Sequence, residues 1–401
     1  MLVVKKFGGS SVADRERIMN VARRCIEDYE KGNDVVVVLS AMGKTTDGLL
    51  EKAREITETP SKRELDMLLV TGEQVSVALM AMAFQSLGVQ AVSLNAAQVA
   101  MRTTSAYGQA KLKRIDTERI RNELDARKIV VITGFQGINK YDDMTTLGRG
   151  GSDTTAVALA VALHADFCEI YTDVDGVYTA DPRIVPNAKK LSEVSYDEML
   201  EFASLGAKVL HNRSVEMAKR YGVKLVVLSS LTRAEGTIIK EKTSMEKMLV
   251  SGVAADKNTA RISVLGVKDE PGIAFRLFNL LARYRINVDI IIQSVGRDNR
   301  KDISFTVART DLQETMKIIN DHLEMLTADS VSADDTVAKI SIIGAGMTSN
   351  PGVAAKMFEA LSGANINIKM IATSEIRITV LIDEEDASRA MRVVHDAFSL
   401  A

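Results

Sequence analysis

Two lysines, two glycines and two serines crowd the start of the chain, in "LVVKKFGGSSVAD", Leu2–Asp14. An apolar run, a glycine turn and a helical pattern in that order form a cradle whose backbone amides can approach a phosphate. Alternation along a strand sends Lys5 and Lys6 to opposite faces, so only one can serve a site at the strand's C-terminal edge. Lys6, beside Gly8 and Gly9, is the candidate. The Walker pattern, with Gly-Lys-Ser/Thr after the glycines, occurs nowhere in the chain.

Three further segments carry charge beside glycine. In "TTLGRGGSDTT", Thr145–Thr155, three glycines surround Arg149, and Ser152 or Asp153 is suited to cap the helix that follows. An exposed helix N-terminus favours anions, and arginine forks onto a carboxylate or phosphate. In "YTDVDGVYTADPR", Tyr171–Arg183, the Asp-x-Asp-Gly spacing of Asp173 and Asp175 mimics part of a calcium loop. The bidentate glutamate and flanking helices of such a loop are missing, so nucleotide or magnesium contact at a strand's edge fits better. "GAKVLHNRS", Gly206–Ser214, brings Lys208 and Arg213 near another helix start. Each segment alone also reads as an ordinary turn, cap or charged surface. Together, Lys6, Arg149, Asp173 and Lys208 suit phosphoryl transfer, in which positioning and charge neutralisation do most of the catalysis.

The elements that must position them follow from periodicity. "DVVVVLS" (34–40), "KIVVIT" (128–133), "FCEIYTD" (167–173) and "VKLVVLS" (223–229) are short, apolar and β-branched, as buried parallel strands are. Ile18, Val21, Ala22, Cys25, Ile26 and Tyr29 make one apolar helical face, and Glu64–Gly88 is a longer helix interrupted by polar Thr71-Gly72-Glu73. The alternation predicts an α/β domain with a central, largely parallel sheet over residues 1–240. Residues 241–249 are charged and read as a linker. Beyond it, Arg261–Ser294 reappears as Lys339–Ser374, with Pro271 and Pro351, Asn287 and Asn367, and Ser294 and Ser374 in matching places. Each copy reads as a βαββαβ unit, at 250–328 and 329–401, a duplicated core or a pair of small binding modules.

Composition narrows the class. With 401 residues, 46% hydrophobic and 26% charged, the chain is that of a globular protein of several domains. A net charge of −2, sparse aromatics and no tryptophan exclude an electrostatic footprint or stacking platform for nucleic acid, and the same balance argues against an anionic membrane. Cys25 and Cys168 read as buried, inert thiols of a reducing cytoplasm. No signal peptide is recognisable, and no continuous apolar run approaches the roughly 20 residues of a membrane span. His164, His211, His322 and His395 have no ligand spacing, so no protein-held metal is expected.

End to end, the chain resembles the aspartate kinases, through "KFGGSSV", "SAMGKTTDGLL", "TGEQVS", "GFQG", "TTLGRGGSDTTAVALA" and "DVDGVYTADPR". The resemblance implies an amino acid kinase fold followed by two α+β ferredoxin-like ACT modules. It implies phosphorylation of the aspartate β-carboxylate by ATP with Mg²⁺, the ion held mainly through the phosphates. Lys6 and Asp173 would be catalytic, and Phe7, Gly8, Gly9, Thr172, Tyr178, Asp181, Arg183 and Lys208 would join them on ATP. Ser40, Thr46, Glu73, Leu124, Asp125, Arg149, Gly150, Gly151 and Ser152 would hold aspartate. Lysine and/or threonine would bind Asp269, Gly272, Asn287, Val288, Asp289 and Gln293 of the first module. In the second they would bind Val353, Ala354, Asn367, Ile368, Ser374 and Glu375. A homo-oligomer through the ACT modules is implied, or pairing with a small ACT-only subunit started at Met245. Kinases for glutamate, acetylglutamate or UMP share the Lys-x-Gly-Gly start but lack the Thr-Gly-Glu element and the tandem tail. An amino-acid sensor without turnover is countered by intact Lys6, Arg149 and Asp173.

Overall fold

The computed structural model describes residues 1–205, 209–241, 249–294, 296, 299–345, 347 and 350–401. The chain divides into two units, Met1–Tyr178 with Lys190–Met245, and Thr179–Lys189 with Glu246–Ala401. Lys208 and Met245 lie outside the described residues.

The first unit begins with β1 (Leu2–Phe7), α1 (Arg15–Glu30) and β2 (Asp34–Leu39). Three helices follow, α2 (Thr45–Ile56), α3 (Lys62–Leu69) and α4 (Thr71–Ser86), then β3 (Ala91–Leu94), β4 (Arg102–Thr103) and β5 (Leu112–Arg114). After α5 (Glu118–Asp125) come β6 (Ile129–Thr133), β7 (Gln136–Ile138), β8 (Met144–Thr146) and α6 (Gly151–Leu163). The unit continues with β9 (Phe167–Thr172), β10 (Glu193–Ser195), α7 (Tyr196–Ser204), α8 (Asn212–Tyr221), β11 (Leu225–Ser229) and β12 (Thr237–Lys240). Eight strands form the main sheet in the order β10-β12-β11-β9-β1-β2-β6-β3, with β11 and β12 the antiparallel neighbours.

All four strands expected from β-branched runs are in this sheet. Their side chains are covered on both faces, which is why β2 and β6 are almost wholly buried. Ile18, Val21, Ala22 and Cys25 of α1 pack with Val77, Met80 and Phe84 of α4 on one face. Both thiols are buried, and burial pushes the Cys25 thiol up to about 12, so neither is poised for reaction. The stretch Lys62–Ser86 is long and apolar enough to cross a membrane by length and composition, although no continuous apolar run announced it. It is two short helices of a folded core, with its 18-residue window 56% buried.

The second unit contains β13 (Gly252–Asp256), β14 (Ala260–Lys268), α9 (Ile273–Arg283), β15 (Ile291–Gln293) and β16 (Arg300–Val307). Then come α10 (Leu312–Asn320), α11 (Leu323–Leu326), β17 (Ser330–Asp334), β18 (Val337–Ile343) and α12 (Val353–Gly363). It ends with β19 (Met370–Thr373), β20 (Arg377–Asp383) and α13 (Ala387–Ala397). Two antiparallel sheets result, β15-β16-β14-β17 and β13-β18-β20-β19. The repeat is visible in detail: Gly272 and Gly352 open α9 and α12 with φ of 93° and 95°.

The module boundaries differ from the sequence expectation. β13 was expected in the first module, but it pairs with β18 of the second sheet, at the edge place that β17 fills beside β14. β17 was expected to open the second module, yet it closes the first sheet. Thr179–Lys189, expected within the first domain, belongs to the second unit, where Ala180 and Val185 join its aliphatic core.

Candidate functional site

β9, β1, β2 and β6 are parallel neighbours, so their C-terminal ends open onto one edge, where open sheets bind ligands. Alternation divides β1 as expected. Lys5 is fully buried on one face, 2.5 Å from Glu169 and 2.6 Å from Asp28. Burial works against its charge, but Glu169 and its neighbours hold its ammonium above the ordinary lysine range. Lys6 points the other way and meets Oδ1 of Asp153 at 2.6 Å, both side chains being about nine-tenths covered.

Asp153 is in the first turn of α6, where the macrodipole favours an anion. Neither Ser152 nor Asp153 caps this helix. The helix starts earlier, with Gly150 as N-cap in the left-handed region at φ 66°, and no side chain caps it. A Cβ at Gly150 would lie 2.2 Å from the His211 ring, so glycine is required there both by dihedral and by space. This frees Asp153 for Lys6 and Ser152 for Ser40, whose hydroxyl donates to the Ser152 hydroxyl at 2.9 Å.

The loop that carries Arg149 is braced from two sides. Asp66, buried in α3, accepts from the Gly108 amide (2.9 Å) and from the Thr146 amide and hydroxyl (2.8 and 2.7 Å). Arg213 at the start of α8 donates to the carbonyls of Leu147 and Ala110, each at 2.9 Å. Arg213 is therefore a structural brace, while Arg149 itself is exposed with its head group available to an anion. Sequence reasoning passed over Asp66; the signal was a lone acid inside an apolar helical run, "LDMLL".

Glu73, in the first turn of α4, is 3% exposed and accepts from the Ala41 amide at 3.0 Å. Its Oε2 has no hydrogen-bond partner among the described residues. Burial pushes this carboxyl up to about 7, against the pull of the Ala41 amide. Such a group is a ready counter-charge for an arriving cation. The Gly9–Gly43 contact closes the cradle: the Gly43 amide donates to the Gly9 carbonyl at 3.0 Å, and a Cβ on Gly9 would stand 2.5 Å from the Ala41 carbonyl.

Residues 1–229 match the amino acid kinase family, and residues 260–324 and 340–398 match ACT domains. The aspartokinase of Bacillus sp. (strain MGA3) is 50% identical over 401 residues, covering 100% of this chain and 98% of its own. That of Corynebacterium glutamicum is 51% identical over 405 residues, covering 100% and 96%. The chain belongs to the aspartokinase family. Escherichia coli aspartokinase III in complex with aspartate and ADP superposes with a TM-score of 0.84 at 28% identity, covering 99% of each chain. Its complex with lysine and aspartate gives 0.79 at 29%, again covering 99% of each. The fold is that of an aspartokinase, an amino acid kinase domain followed by ACT domains, and the chain is an aspartate kinase.

Of the residues expected to serve an aspartokinase, Lys6, Gly8, Gly9, Ser40, Glu73, Gly150, Gly151 and Ser152 converge on this edge. Thr46, in the first turn of α2, is half-buried beside it. Phe7 requires correction: its ring is fully buried and stacks on Tyr171 at 4.3 Å, so only its backbone can face a nucleotide. Leu124 and Asp125 also require correction. They end α5 beside Leu2, Asp34, Leu163 and His164, at the N-terminal edge of the strands, a helix length of about 20 Å from the N-terminus of α6. Thr172 donates to Asp173 at 2.9 Å just after β9, and Tyr178 donates to Asp175 at 2.8 Å. Asp181 and Arg183 belong to the second unit, where the guanidinium forks onto the carboxylate at 2.7–3.2 Å.

In the ACT pair the expected effector residues are unevenly placed. Val353 is buried in the second core, and Val288, Ala354 and Ile368 pack partly into their own modules. Asp289 ties the modules, 2.7 Å from Lys339 on β18 and 3.8 Å from Arg377. Asp269 pairs with Lys301 at 2.8 Å, Gly272 opens α9, and the Ser374 amide donates to the Arg377 carbonyl at 2.8 Å. Asn287, Gln293, Asn367 and Glu375 are exposed.

Proposed function

We propose that this enzyme transfers the γ-phosphoryl group of ATP to the β-carboxylate of L-aspartate, giving 4-phospho-L-aspartate for lysine, threonine and methionine synthesis. The observation that carries the reading is the Lys6–Asp153 pair at the head of α6, within an edge that also holds the Glu73 carboxyl, whose Oε2 has no hydrogen-bond partner among the described residues. The aspartate and ADP bound by the E. coli relative support both substrates.

The aspartate β-carboxylate, with an ordinary pKa of about 3.9, is ionised at neutral pH and needs no general base. The barrier is repulsion between that carboxylate and the γ-phosphate. Lys6 and the amides of Gly8, Gly9 and α6 neutralise it while a carboxylate oxygen bonds to phosphorus and the bridging oxygen leaves with ADP. Asp173 orients the transfer. The Phe7 backbone, Thr172, Tyr178, Asp181, Arg183 and Lys208 complete the nucleotide contacts. Arg149 with Gly150–Ser152 takes the α-carboxylate, Glu73 takes the α-ammonium, and Ser40 and Thr46 complete the aspartate site. Mg²⁺ arrives in this reading on the nucleotide phosphates and not on a set of protein ligands. When bound, Mg²⁺ would offset phosphate charge.

Lysine, threonine or both inhibit through the ACT pair, by the residues named above; the lysine complex of the E. coli relative supports lysine. Oligomerisation through the ACT modules, or pairing with an ACT-only subunit, and a cytoplasmic location complete the reading. The test is ADP formation with L-aspartate, N-acetyl-aspartate and L-glutamate as acceptors. Turnover with aspartate alone supports it. Equal turnover with N-acetyl-aspartate, which offers Glu73 no cation, contradicts it.

A further inference from the structure

Asp66 takes no part in the transfer, yet its carboxyl is 1% exposed in the body of α3. A buried carboxylate is costly unless donors surround it, and all three of its donors come from the segments beneath Arg149. Oδ2 accepts from the Gly108 amide at 2.9 Å and the Thr146 amide at 2.8 Å, and Oδ1 accepts from the Thr146 hydroxyl at 2.7 Å. Thr146 ends β8, three residues before Arg149. Gly108 lies against the residue beside Arg149: a Cβ on Gly148 would stand 3.0 Å from the Gly108 carbonyl, and both glycines are left-handed, at φ 78° and 77°. The Ala110 amide joins the two segments by donating to the Thr146 carbonyl at 2.9 Å.

The helix that carries Asp66 is itself fixed. Between α3 and α4, the Val70 carbonyl accepts from Nε2 of fully buried Gln136 at 3.0 Å, and Glu73 accepts from the Ala41 amide. A second tie runs from α3 towards the same segment, with Arg63 and Tyr107 both donating to Asp143, at 2.8 and 2.7 Å. Arg63 is exposed, however, and an exposed pair is a weak constraint in water. A buried carboxylate accepting three bonds is the stronger one. Asp66 therefore hangs the Arg149 loop at a set distance from Glu73, the group that faces the other charge on the α-carbon of aspartate.

We propose that Asp66 is a positioning residue for the acceptor. Its carboxylate fixes the Arg149 loop on α3 and so presents the guanidinium to the α-carboxylate of aspartate, without touching the substrate. The inference rests on the α-carboxylate role proposed for Arg149.

The test uses the full chain, with Asp66→Ala, Asp66→Asn and Thr146→Val made alone and the first and third also combined with Arg149→Gln, measuring kcat and both KM values. Asp66→Ala is expected to raise KM for aspartate about tenfold, with kcat within about threefold and KM for ATP unchanged. Thr146→Val removes one of the three bonds and should raise it about threefold. Asp66→Asn should return it to within about twofold of wild type, because its oxygen accepts from both backbone amides while Nδ2 donates to the Thr146 hydroxyl. Arg149→Gln alone should raise KM for aspartate about tenfold or more, and in its presence Asp66→Ala and Thr146→Val should each add less than about twofold. A merely structural role would not give that cancellation. An unchanged KM for aspartate in Asp66→Ala, an equal rise in both KM values, or an effect undiminished beside Arg149→Gln overturns the proposal. If Asp66→Ala is insoluble, Thr146→Val carries the same cycle, and independence from Arg149 overturns the proposal there too. An unchanged KM for aspartate in Arg149→Gln alone marks failure of the α-carboxylate reading, and the proposal falls with it; a raised KM in Arg149→Gln beside a silent Asp66→Ala strikes the proposal alone.

Discussion

Lys6 and Glu73 are both largely buried but differently partnered. Lys6 pairs with Asp153 at 2.6 Å, whereas the Oε2 of Glu73 has no hydrogen-bond partner among the described residues and burial pushes its carboxyl up to about 7. The unfolded carboxyl titrates near 4.5, so the folded state binds this proton more tightly. The stability that brings is complete below about pH 4.5 and is lost as the pH rises through about 7. Free Glu73→Gln is therefore expected to exceed the wild type in stability by about 1–3 kcal/mol at pH 8, with the gap closing towards pH 5, as read by denaturant melts. Catalysis moves the other way. KM for aspartate should rise as pH falls below about 7, and Glu73→Gln should raise it about tenfold or more at pH 8. A flat KM profile from pH 5.5 to 8.5 would refute the ammonium contact. At this scale Lys6 was legible from alternation together with the glycines beside it. The Asp153 partnership was not, because it depends on Gly150 starting the helix early, a matter of dihedral that composition does not encode. Leu124 and Asp125 misled because motif order is blind to which edge of a sheet an element reaches.

Strands and helices were the most legible level, since period-2 and period-3.6 patterns report burial directly. Edge strands were the exception. β13 reads "GVAAD" and β17 "SVSAD", alike at three of five positions, so little local says which sheet each joins. Their equivalence is instead expressed as an exchange, each flanking the first strand of a repeat. The turn before α6 makes the sharpest element-scale prediction. Gly150→Ala places a Cβ against the His211 ring at a left-handed φ, with an expected loss of about 1–3 kcal/mol in stability. KM for aspartate should rise with it, because the Arg149 loop shifts. Unchanged melting and unchanged kinetics would show that the turn is not tied to substrate binding.

The whole chain joins an amino acid kinase domain to two ACT domains, and that organisation was legible from the repeat and the motif order. Less legible was the passage of Thr179–Lys189 into the second unit, because its apolar residues look like any loop anchor until the core around them is seen. Exposed Asn287 and Gln293 flank in sequence Asp289, the tie between modules. Replacing either with alanine is expected to weaken inhibition by lysine or threonine while leaving uninhibited turnover nearly intact, measured as effector concentration for half-inhibition. Joint loss of turnover and inhibition would contradict that separation of roles. The central claim, transfer to the aspartate β-carboxylate under Lys6, is tested most directly by trapping the acyl phosphate with hydroxylamine and identifying the hydroxamate formed by wild type and Lys6→Met. The account predicts β-aspartyl hydroxamate from the wild type and at least a hundredfold less, by order of magnitude, from Lys6→Met. An α-hydroxamate, or undiminished product from Lys6→Met, would contradict it.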